Sequence, residues 1–541
     1  TVSVIGDTLR VGEAPAHGEG NVLKYTSGVA ILNSVAFALA HGYTVLTDPS
    51  NANGFTAPYR FALYLNALAF ILLGLWFIWK LLSNRFGRGP ALCTVLAIGL
   101  ATNLFYFGVI NNVMAHPFLF ALWAALLYAT DRFYRHPGVR WSVAIGLLAG
   151  MITLIRPTEI ICVLVPFLWE IKSVRARLTL LRRHRKLLMI MAFCLVLCAL
   201  PQLLYWKYTT GQWVYYSYAG EGFNFLKPRI SKGLFSFRNG WLIYTPVMIL
   251  SMTGMVMLWI RRHTLRMVVT AVVVLHVWLV FSWWNWFYIN GFGMRAMVDL
   301  YPVLAIPFAA MIAYLAPRWR RWIYGFVILC VLLNVYQTEQ HRRGVLWTED
   351  MNSAYYRQSF GRLQMDQAMS VAYDLHTFQT SRKWHTLLWE EDFEGNSFDS
   401  AHMVQHDSRA YRITPEAAVD FGEHVFPFAS TSFQPGDLLA VSCQVYVEKQ
   451  ISQYYDMTSF ALSIKRGERF LARRYLRLNN KPGDPGDISL WWGVPGQWAF
   501  VEAHMTIPRS FRAGDEIRIS LISPNPESVV YIDDLKVGIV R

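Results

Sequence analysis

The chain has 541 residues, of which 54% are hydrophobic and 16% charged, and its mean hydropathy is +0.29. These values argue against a set of soluble domains and indicate a polytopic membrane protein over much of the length. The formal net charge of +15 requires no nucleic acid partner, because Lys and Arg crowd the cytoplasmic loops of membrane proteins. Five of the six cysteines lie in apolar runs, and only Cys443 lies in the polar C-terminal part. Neither an intradomain disulfide there nor a cysteine-based metal site is expected.

The chain begins at Thr1 without an initiator Met or a signal sequence, and about 27 polar residues precede the first apolar run. We expect a fragment whose N-terminal start is missing. The run from Gly28 to Leu46 is barely long enough to span a bilayer and contains polar residues. We predict that it forms a helix in the outer interface, within an outer loop of residues 1–58, since a crossing would place the N-terminal stretch inside.

Eight further apolar runs have the length that a bilayer requires, and they define a predicted transmembrane domain of residues 59–337. Two shorter runs between 142 and 171 flank Arg156-Pro157-Thr158-Glu159 and predict a hairpin of two short helices. Alternate loops contain 19 and 7 Lys and Arg residues, so the first set is cytoplasmic by the positive-inside rule. The outer side then holds Lys24, the loop 207–240 and everything after about residue 338. The eight runs lie near residues 59–80, 91–110, 116–130, 187–206, 241–260, 266–284, 298–316 and 322–337.

The C-terminal part has a different character. Residues 338–388 are polar and charged and are interpreted as a linker. From about Trp389, short alternating runs are separated by Gly, Pro and Asp, which predicts an all-β domain of residues 389–541. The spacing of the runs is typical of a two-sheet antiparallel sandwich. The strand candidates are Ala440–Val447, Ser459–Lys465, Trp498–Thr506, Glu516–Ile522 and Val529–Val537.

The stretch from Phe281 to Pro302 is the most site-like part of the sequence. It places Trp and Tyr rings, Arg295 and Asp299 between two apolar runs. Amphipathic rings gather where hydrocarbon meets water, so an aromatic belt that only anchors two helices is one interpretation. Arg295 and Asp299, four residues apart at the mouth of an apolar segment, favour a functional site instead, because uncompensated charge is costly there.

Three other outer segments carry residues that suit a negatively charged, lipid-linked substrate. Arg binds phosphate through a planar fork of donors, and Trp and Tyr faces suit the apolar side of a sugar ring. Lys24 and the cationic cluster from Lys227 to Arg238 could also contact only lipid headgroups, and Glu159 could simply be the ion-pair partner of Arg156. The sequence has no Walker-type loop, HExxH or GxSxG motif. With the Trp-rich stretch, the candidate substrate-binding residues are Lys24, Tyr25, Arg156, Glu159, Arg238, Trp283, Trp284 and Arg295.

Four motifs resemble polytopic bacterial glycosyltransferases of the GT-C superfamily, the relatives of protein mannosyltransferases and lipid A aminoarabinose transferases. They are KYTSG at 24–28, GLLAGMITLIRPTE at 146–159, GLFSFRNGWLIYTP at 233–246 and WWNWFYINGFGMRAMVDLYP at 283–302. The resemblance covers roughly residues 20–340 and implies a GT-C-like transmembrane domain. In the β domain, DFEG at 392–395 and YIDDL at 531–535 resemble the first and last strands of carbohydrate-binding-module-like jelly rolls.

The resemblance implies transfer of a sugar from a polyprenyl-phosphate carrier to a glycan, lipid or protein acceptor, usually with inversion. It also implies a multi-pass protein of the bacterial inner membrane, with the site and the β domain on the periplasmic side of the cell envelope. In the family the catalytic carboxylate lies in the first outer loop. None of Asp7, Glu13 and Glu19 matches that acidic motif, so we expect the main base upstream of Thr1, with Asp299 as an orienting group or second-choice base. The resemblance identifies no cofactor with certainty, and it does not decide whether a divalent metal takes part.

Other functions share part of this pattern. A flippase for lipid-linked sugars would have the same passes and aromatic belt, but alternating access favours internal repeats and polar groups at the midplane, which the sequence lacks. An oligosaccharide ligase or polymerase would differ by transferring its sugars en bloc. A membrane-anchored binding protein would explain the β domain but not eight passes with charged outer loops.

Overall fold

The computed structural model describes the chain in two compact units that divide near Arg342. We call them the helical unit and the β unit. The described residues are 22–171, 173–218, 221–289, 291–346, 351–364, 384–395, 399–406, 408–427, 437–448, 457–478, 496–508, 510–512 and 514–540.

The helical unit confirms the prediction of a polytopic helical domain. Five of its described helices are long and apolar enough to cross a membrane: α1, α2, α9, the segment Arg295–Tyr314 and α15. By length and composition, α1 fits a crossing as well as the predicted interfacial position. The helices are α1 Gly28–Thr47, α2 Ala57–Phe86, α3 Arg88–Leu100, α4 Leu104–Val109, α5 His116–Arg135, α6 Val139–Ile155, α7 Leu164–Leu168, α8 Val174–Arg183, α9 Arg185–Thr210, α10 Ile230–Phe235, α11 Trp241–Tyr244, α12 Ile249–Ile260, α13 Arg266–Ser282, α14 Tyr301–Tyr314 and α15 Pro317–Arg342.

Two of the predicted spans are interrupted. The run 91–110 breaks between α3 and α4, where the side chain of Asn103 donates to the carbonyl of Phe292 at 3.0 Å and accepts from the Tyr301 hydroxyl at 2.5 Å. The run 241–260 breaks at Pro246, which has no N–H group for a continuous helix. Between α6 and α7, the predicted hairpin turns through a 3₁₀ segment at Pro157–Val163.

A glycine allows α12 and α14 of this unit to pack closely. A Cβ atom on Gly254 of α12 would lie 1.8 Å from the carbonyl oxygen of Pro307 in α14. Because glycine has no side chain, it lets helix backbones approach in this way. In lipid, such close packing is a main source of the free energy of helix association. The α12–α14 pair therefore depends on the absence of a side chain at this position.

A buried charge network joins the ends of three helical segments. Arg85 of α2 forms ion pairs with Asp131 of α5 and, at 2.8 Å, with Glu170 after α7. Arg135 binds the second oxygen of Asp131 at 2.9 Å. The side chain of Asp131 is 1% exposed, so its charge depends on these two arginines. The network lies at the end of α5 that the positive-inside rule assigns to the cytoplasm.

The β unit contains two antiparallel sheets, as predicted. One sheet has the order β2-β3-β10-β5-β8, with β1 also paired to β10, and the other has the order β4-β9-β6-β7. Buried side chains from both sheets form one apolar core that includes Leu439, Val441, Leu462, Ile519 and Val537. The strands are β1 Trp384–Glu391, β2 Met403–His406, β3 Ser408–Ile413, β4 Glu423–Pro427, β5 Leu438–Val447, β6 Ser459–Arg466, β7 Arg469–Arg477, β8 Trp498–Thr506, β9 Glu516–Ile522 and β10 Val530–Val540; the helices are α16 Ser353–Ser359 and α17 Pro415–Phe421.

The strand predictions hold for β5, β6, β8, β9 and β10, whose bounds differ by at most three residues. The motif at 392–395 is not the first strand. β1 begins at Trp384 and ends at Glu391, and Phe393 follows in the turn with a φ of 55°. Part of the predicted linker, residues 365–383, lies outside the described residues, and α15 extends five residues into its start.

Candidate active site

Asp299 lies at the centre of the charged groups in the helical unit. It is fully buried in the 3₁₀ segment Arg295–Leu300, just before α14. One carboxylate oxygen is 2.8 Å from Nδ1 of His116, at the start of α5, and the other accepts from Arg156 at 2.9 Å. Because a 3₁₀ helix repeats every three residues, Arg295 and Asp299 do not stack on one face. The sequence spacing suggested that pair, and the structure pairs Asp299 with Arg156 instead.

Two guanidinium groups flank one phenol ring. The Cζ atoms of Arg156 and Arg295 are 5.6 and 5.7 Å from the ring centroid of Tyr288. The Tyr288 backbone has a φ of 46°, and its hydroxyl donates to the carbonyl of Val280 at 3.0 Å, so the ring is fixed from both ends. Each arginine gains a cation–π contact from the same ring.

Arg295 differs from Arg156 in its charge balance. Its guanidinium contacts the sulfur of Met114 at 3.5 Å, and its Nε is buried without a hydrogen-bond acceptor. Among the described residues, no carboxylate lies at ion-pair distance from it. Burying a guanidinium without an anion is costly, so this corner of the site favours a negatively charged ligand.

A second buried pair lies beside the first. Oε2 of Glu159 is 3.5 Å from Nδ1 of His276 in α13, and both side chains are at most 2% exposed. Nε2 of His276 donates to the carbonyl of Ala296 at 3.0 Å, which directs Nδ1 towards the carboxylate. The alternative that Glu159 is the ion-pair partner of Arg156 does not hold in this structure.

The segment Leu23–Gly28 packs on the end of α6 from which Arg156 projects. Thr26 donates to the carbonyl of Ile155 at 3.1 Å, and a Cβ atom on Gly28 would lie 2.6 Å from the Ile155 side chain. Lys24 pairs with Glu221 at 2.6 Å, and its Nζ is 5.2 Å from the ring centroid of Tyr218. Three chain regions therefore meet here.

An aromatic cluster continues from Tyr218 towards the Trp-rich stretch. The Tyr218 ring meets the half-buried Trp283 edge to face at 5.9 Å and Tyr25 at 6.2 Å. Burial raises the pKa of Tyr218 to about 12, so its hydroxyl stays a neutral donor. Tyr25 and Trp284 are 58% and 55% exposed, which leaves two large rings open to a ligand or to lipid.

The fourth motif joins the same region. The guanidinium of Arg238 lies 3.6 Å from the ring centroid of Phe287, and the next residue, Asn239, donates to the carbonyl of Phe287 at 2.7 Å. Asn239 has a φ of 52° and is fully buried. Arg238 is therefore held beside the loop that carries Tyr288.

The site thus contains residues from all four sequence motifs. Its cations suit a phosphate, and its exposed rings suit a sugar or a prenyl chain. Asp299 has both oxygens engaged in a fully buried position. It can orient Arg156 and His116, but its full burial leaves neither oxygen open to an incoming hydroxyl.

Three functional candidates were missed at the sequence level: His116, His276 and Tyr288. The two histidines lie in apolar runs, at HPFLF and LHVWLV. An ionisable residue inside such a run is a functional candidate by default, so the signal was present. Tyr288 was noted as a ring of the aromatic belt, but its position between two arginines depends on residues 132 positions apart.

One group of side chains has the spacing of a metal site among the residues described. It is Asp399, His402 and Asp420 of the β unit. Nε2 of His402 is already 2.6 Å from Asp420, and Asp399 accepts from the backbone N–H of Ala401, so the three are satisfied without an ion.

Residues 55–206 match the family model described as dolichyl-phosphate-mannose-protein mannosyltransferase. No curated protein sequence matches the chain. Two solved structures similar to the chain are those of ArnT from Cupriavidus metallidurans, apo and bound to undecaprenyl phosphate. They are 15% and 16% identical, cover 65% and 62% of this chain and have TM-scores of 0.38. The chain spans 60% and 58% of their length.

Two further structures resemble the chain. The arabinosyltransferase EmbB from Mycobacterium smegmatis is 10% identical, covers 97% of this chain and 66% of its own, and has a TM-score of 0.28. The CBM22-1 xylan-binding domain of Paenibacillus barcinonensis Xyn10C is 10% identical, covers 30% of this chain and 99% of its own, and has a TM-score of 0.19.

The helical unit is therefore a polytopic membrane domain with a buried, arginine-rich polar site. The family match over residues 55–206 confirms the predicted resemblance to GT-C superfamily membrane glycosyltransferases for that part of the unit.

Proposed function

We propose that this protein transfers a sugar from a polyprenyl-phosphate-linked donor to an acceptor on the extracytoplasmic face of a bacterial inner membrane. The observation that carries the proposal is Arg295, a half-buried cation with no carboxylate at ion-pair distance among the described residues, next to Arg156 on the Tyr288 ring. A phosphate leaving group would supply the missing anion. The family match over residues 55–206 supports the same reaction class.

In this proposal Arg156 and Arg295 bind the phosphate and stabilise the charge that develops as the sugar leaves. Asp299 is a positioning residue. Its two short contacts hold Arg156 and His116 and reduce the repulsion between the two arginines. Lys24 and Arg238 lie at the edge of the same region and bind outer oxygens of the donor.

The exposed rings of Tyr25 and Trp284, together with the half-buried Trp283, form the proposed platform for the prenyl chain or sugar. Amphipathic rings at a membrane surface provide apolar area and retain a polar edge. Glu159 is a positioning residue in this proposal, and it acts through its contact with His276.

The transfer also needs a base for the acceptor hydroxyl. Asp299 and Glu159 are both buried, so we propose that the base belongs to the first outer loop, as the family resemblance implies. Asp7, Glu13 and Glu19 of this loop lie outside the described residues. Inversion at the anomeric carbon follows if the acceptor attacks opposite the phosphate in a single displacement.

The test is transfer of radiolabelled sugar from a panel of polyprenyl-phosphate sugars in membranes that carry the protein. Arg295→Ala should reduce kcat by at least about 10²-fold, the usual cost of removing one donor to a developing charge. Arg229→Ala is the matched control, because this arginine is exposed in the same region and its hydrogen bonds, to Phe281 and from Gly233, are made by its backbone. Equal activity of Arg295→Ala and the control would contradict the proposed phosphate site.

The alternatives give different results in the same membranes. A flippase would move lipid-linked sugar between leaflets without consuming the donor. An oligosaccharide ligase or polymerase would use donors that carry several sugars and transfer them in one step.

A further inference from the structure

A groove that carries two arginine side chains runs along α8. It is lined by Ser173, Arg175, Thr179, Leu180, Arg183 and His184. Arg175 and Arg183 are exposed, and α8 as a whole has no buried residue. The exposed apolar side chains Val174 and Leu178 make this a basic amphipathic helix of the kind that lies in a membrane interface.

An apolar cavity of about 150 Å³ lies beneath this helix. Helices α5, α6, α7, α8 and α9 all contribute to its wall, and its lining is almost entirely hydrocarbon. The wall includes Phe133, Ile145, Ala149, Phe167, Leu188 and Leu195. An apolar cavity of this kind suits hydrocarbon groups better than water, since its wall offers water few polar partners.

The groove and the cavity meet. Leu180 and His184 line both of them, so a cationic surface directly adjoins an apolar interior at these two side chains. A ligand that fills both parts must have a charged head and a hydrocarbon tail.

The charge of the head follows from the sequence around the groove. No acidic residue occurs between Glu170 and Glu221, whereas residues 172–186 contain seven Lys and Arg residues. Glu170 is itself engaged by Arg85 at 2.8 Å, and Arg177 is engaged by the carbonyl of Trp169. Arg175 and Arg183 have no ion-pair partner among the described residues, so an anionic head is favoured.

The groove is remote from the proposed catalytic site. His116 begins α5 at that site, and Tyr134, near the other end of the same helix, lines the cavity. Eighteen residues of helix span about 27 Å, close to the hydrocarbon thickness of a bilayer. The two sites therefore belong to opposite membrane surfaces.

We propose that the groove and cavity bind one anionic glycerophospholipid of the leaflet opposite the catalytic site. Its phosphate lies on Arg175 and Arg183, and one acyl chain enters the cavity between Leu180 and His184. This site does not depend on the proposed transferase activity.

The test is native mass spectrometry of the purified full chain in detergent with added phosphatidylglycerol or phosphatidylcholine. One copy of phosphatidylglycerol should be retained in preference to phosphatidylcholine. Arg175→Gln and Arg183→Gln should each weaken retention about fivefold, which corresponds to about 1 kcal/mol per cation near an anionic lipid. Arg182→Gln is the matched control, because Arg182 is an exposed neighbour that does not line the groove. If Arg182→Gln weakens retention as much as Arg175→Gln and Arg183→Gln do, the binding is diffuse surface attraction and the proposal is wrong.

The cavity is tested separately. Leu188→Trp should fill it and abolish retention, whereas Leu197→Trp, at an exposed position on the same helix, should not. Because a filled cavity can also disturb folding, wild-type protein is titrated with dihexanoyl and dioleoyl phosphatidylglycerol and with glycerol phosphate. The long-chain lipid should bind at least tenfold more tightly than the other two. Equal binding of glycerol phosphate would identify a simple phosphate site and overturn the assignment of the cavity to an acyl chain.

Discussion

Two kinds of ion pair can be compared between the units of this chain, one buried and one exposed. In the helical unit, Asp299 and Asp131 are at most 1% exposed, and their partners come from segments as far as 183 residues away. In the β unit, the pair Lys536–Glu390 joins neighbouring strands with 42% and 49% of the side chains exposed. This pair in the β unit therefore stays in water, whereas the two aspartates of the helical unit have left it.

The physical cost differs accordingly. A surface ion pair is worth about 0–1 kcal/mol, because water screens and competes with it. A buried pair pays a large desolvation penalty and gains stability only if every partner is present. Evolution retains such groups in a membrane domain mainly where a function requires them. The comparison therefore singles out two clusters, around Asp131 and Asp299, and our proposal rests on the Asp299 cluster because it also holds Arg295.

The largest expected effect comes from removing the charge at the centre of that cluster. Asp299→Asn should lower the free energy of unfolding by about 3–5 kcal/mol, because Arg156 loses its buried counterion. Sugar transfer should fall as well. Thermal unfolding in detergent, followed by circular dichroism, measures the first effect.

Glu390→Gln is the matched change in the β unit and should alter the free energy of unfolding by no more than about 1 kcal/mol. The double variant Asp299→Leu/Arg156→Met should recover part of the stability without recovering activity, since both charges are gone. Equal losses of unfolding free energy in Asp299→Asn and Glu390→Gln would contradict the distinction between the buried and the exposed ion pair.

A second prediction concerns packing without charge. Gly254→Ala should cost about 1–3 kcal/mol, because its Cβ atom would collide with the Pro307 carbonyl. Gly325→Ala, on α15, has open space around its Cβ position and should instead stabilise its helix by up to about 1 kcal/mol. The same unfolding measurement checks both variants. Destabilisation by both alike would show that the α12–α14 contact is not the cause.

The smallest effect is expected in the β unit at low pH. Arg466 donates to both oxygens of Asp515 at 2.7 and 2.9 Å, and this holds the pKa of Asp515 below its usual value. A depressed carboxylate pKa in the folded state contributes stability that is present above about pH 3.9, the ordinary aspartate pKa, and is lost as the pH falls through the folded value.

Asp515→Asn should therefore remove part of the acid sensitivity of β6 and β9. Hydrogen exchange of peptides from these strands in the full chain, between pH 3 and pH 6, measures the change. An unchanged pH profile in the variant would exclude Asp515 as the titrating group.

Much of the fold was predictable because both units repeat a simple pattern. Long apolar runs give helices such as α2 and α9, and alternation gives β8 and β9. The predicted bounds are wrong where specific hydrogen bonds or charged residues interrupt the apolar pattern. The break at Asn103 depends on Phe292 and Tyr301, nearly 200 residues away. Strands such as β7, with four arginines in nine residues, lack the apolar alternation that identifies a strand.

The composition of the site was predictable, but its pairing was not. Sidedness placed Lys24, Arg156, Arg238 and Arg295 on one surface, where the structure brings their motifs together. Spacing along the chain reports only neighbours in the same element, so it linked Arg295 with Asp299 and missed the contact between Asp299 and Arg156, 143 residues apart.

The long-range contacts of the segment Leu23–Gly28 limit when this segment can pack during synthesis of the chain. The Lys24 ammonium meets Glu221, and the Leu23 backbone meets the Tyr205 hydroxyl, across 197 and 182 residues of sequence. At about 5–20 residues per second, a ribosome needs roughly 10–40 s to make that intervening chain. During this interval Lys24 and Leu23 lack these two partners, although Ile155, which accepts from Thr26, has already been synthesised. The contacts of Lys24 and Leu23 therefore form only after α9 and the loop that follows it have been made.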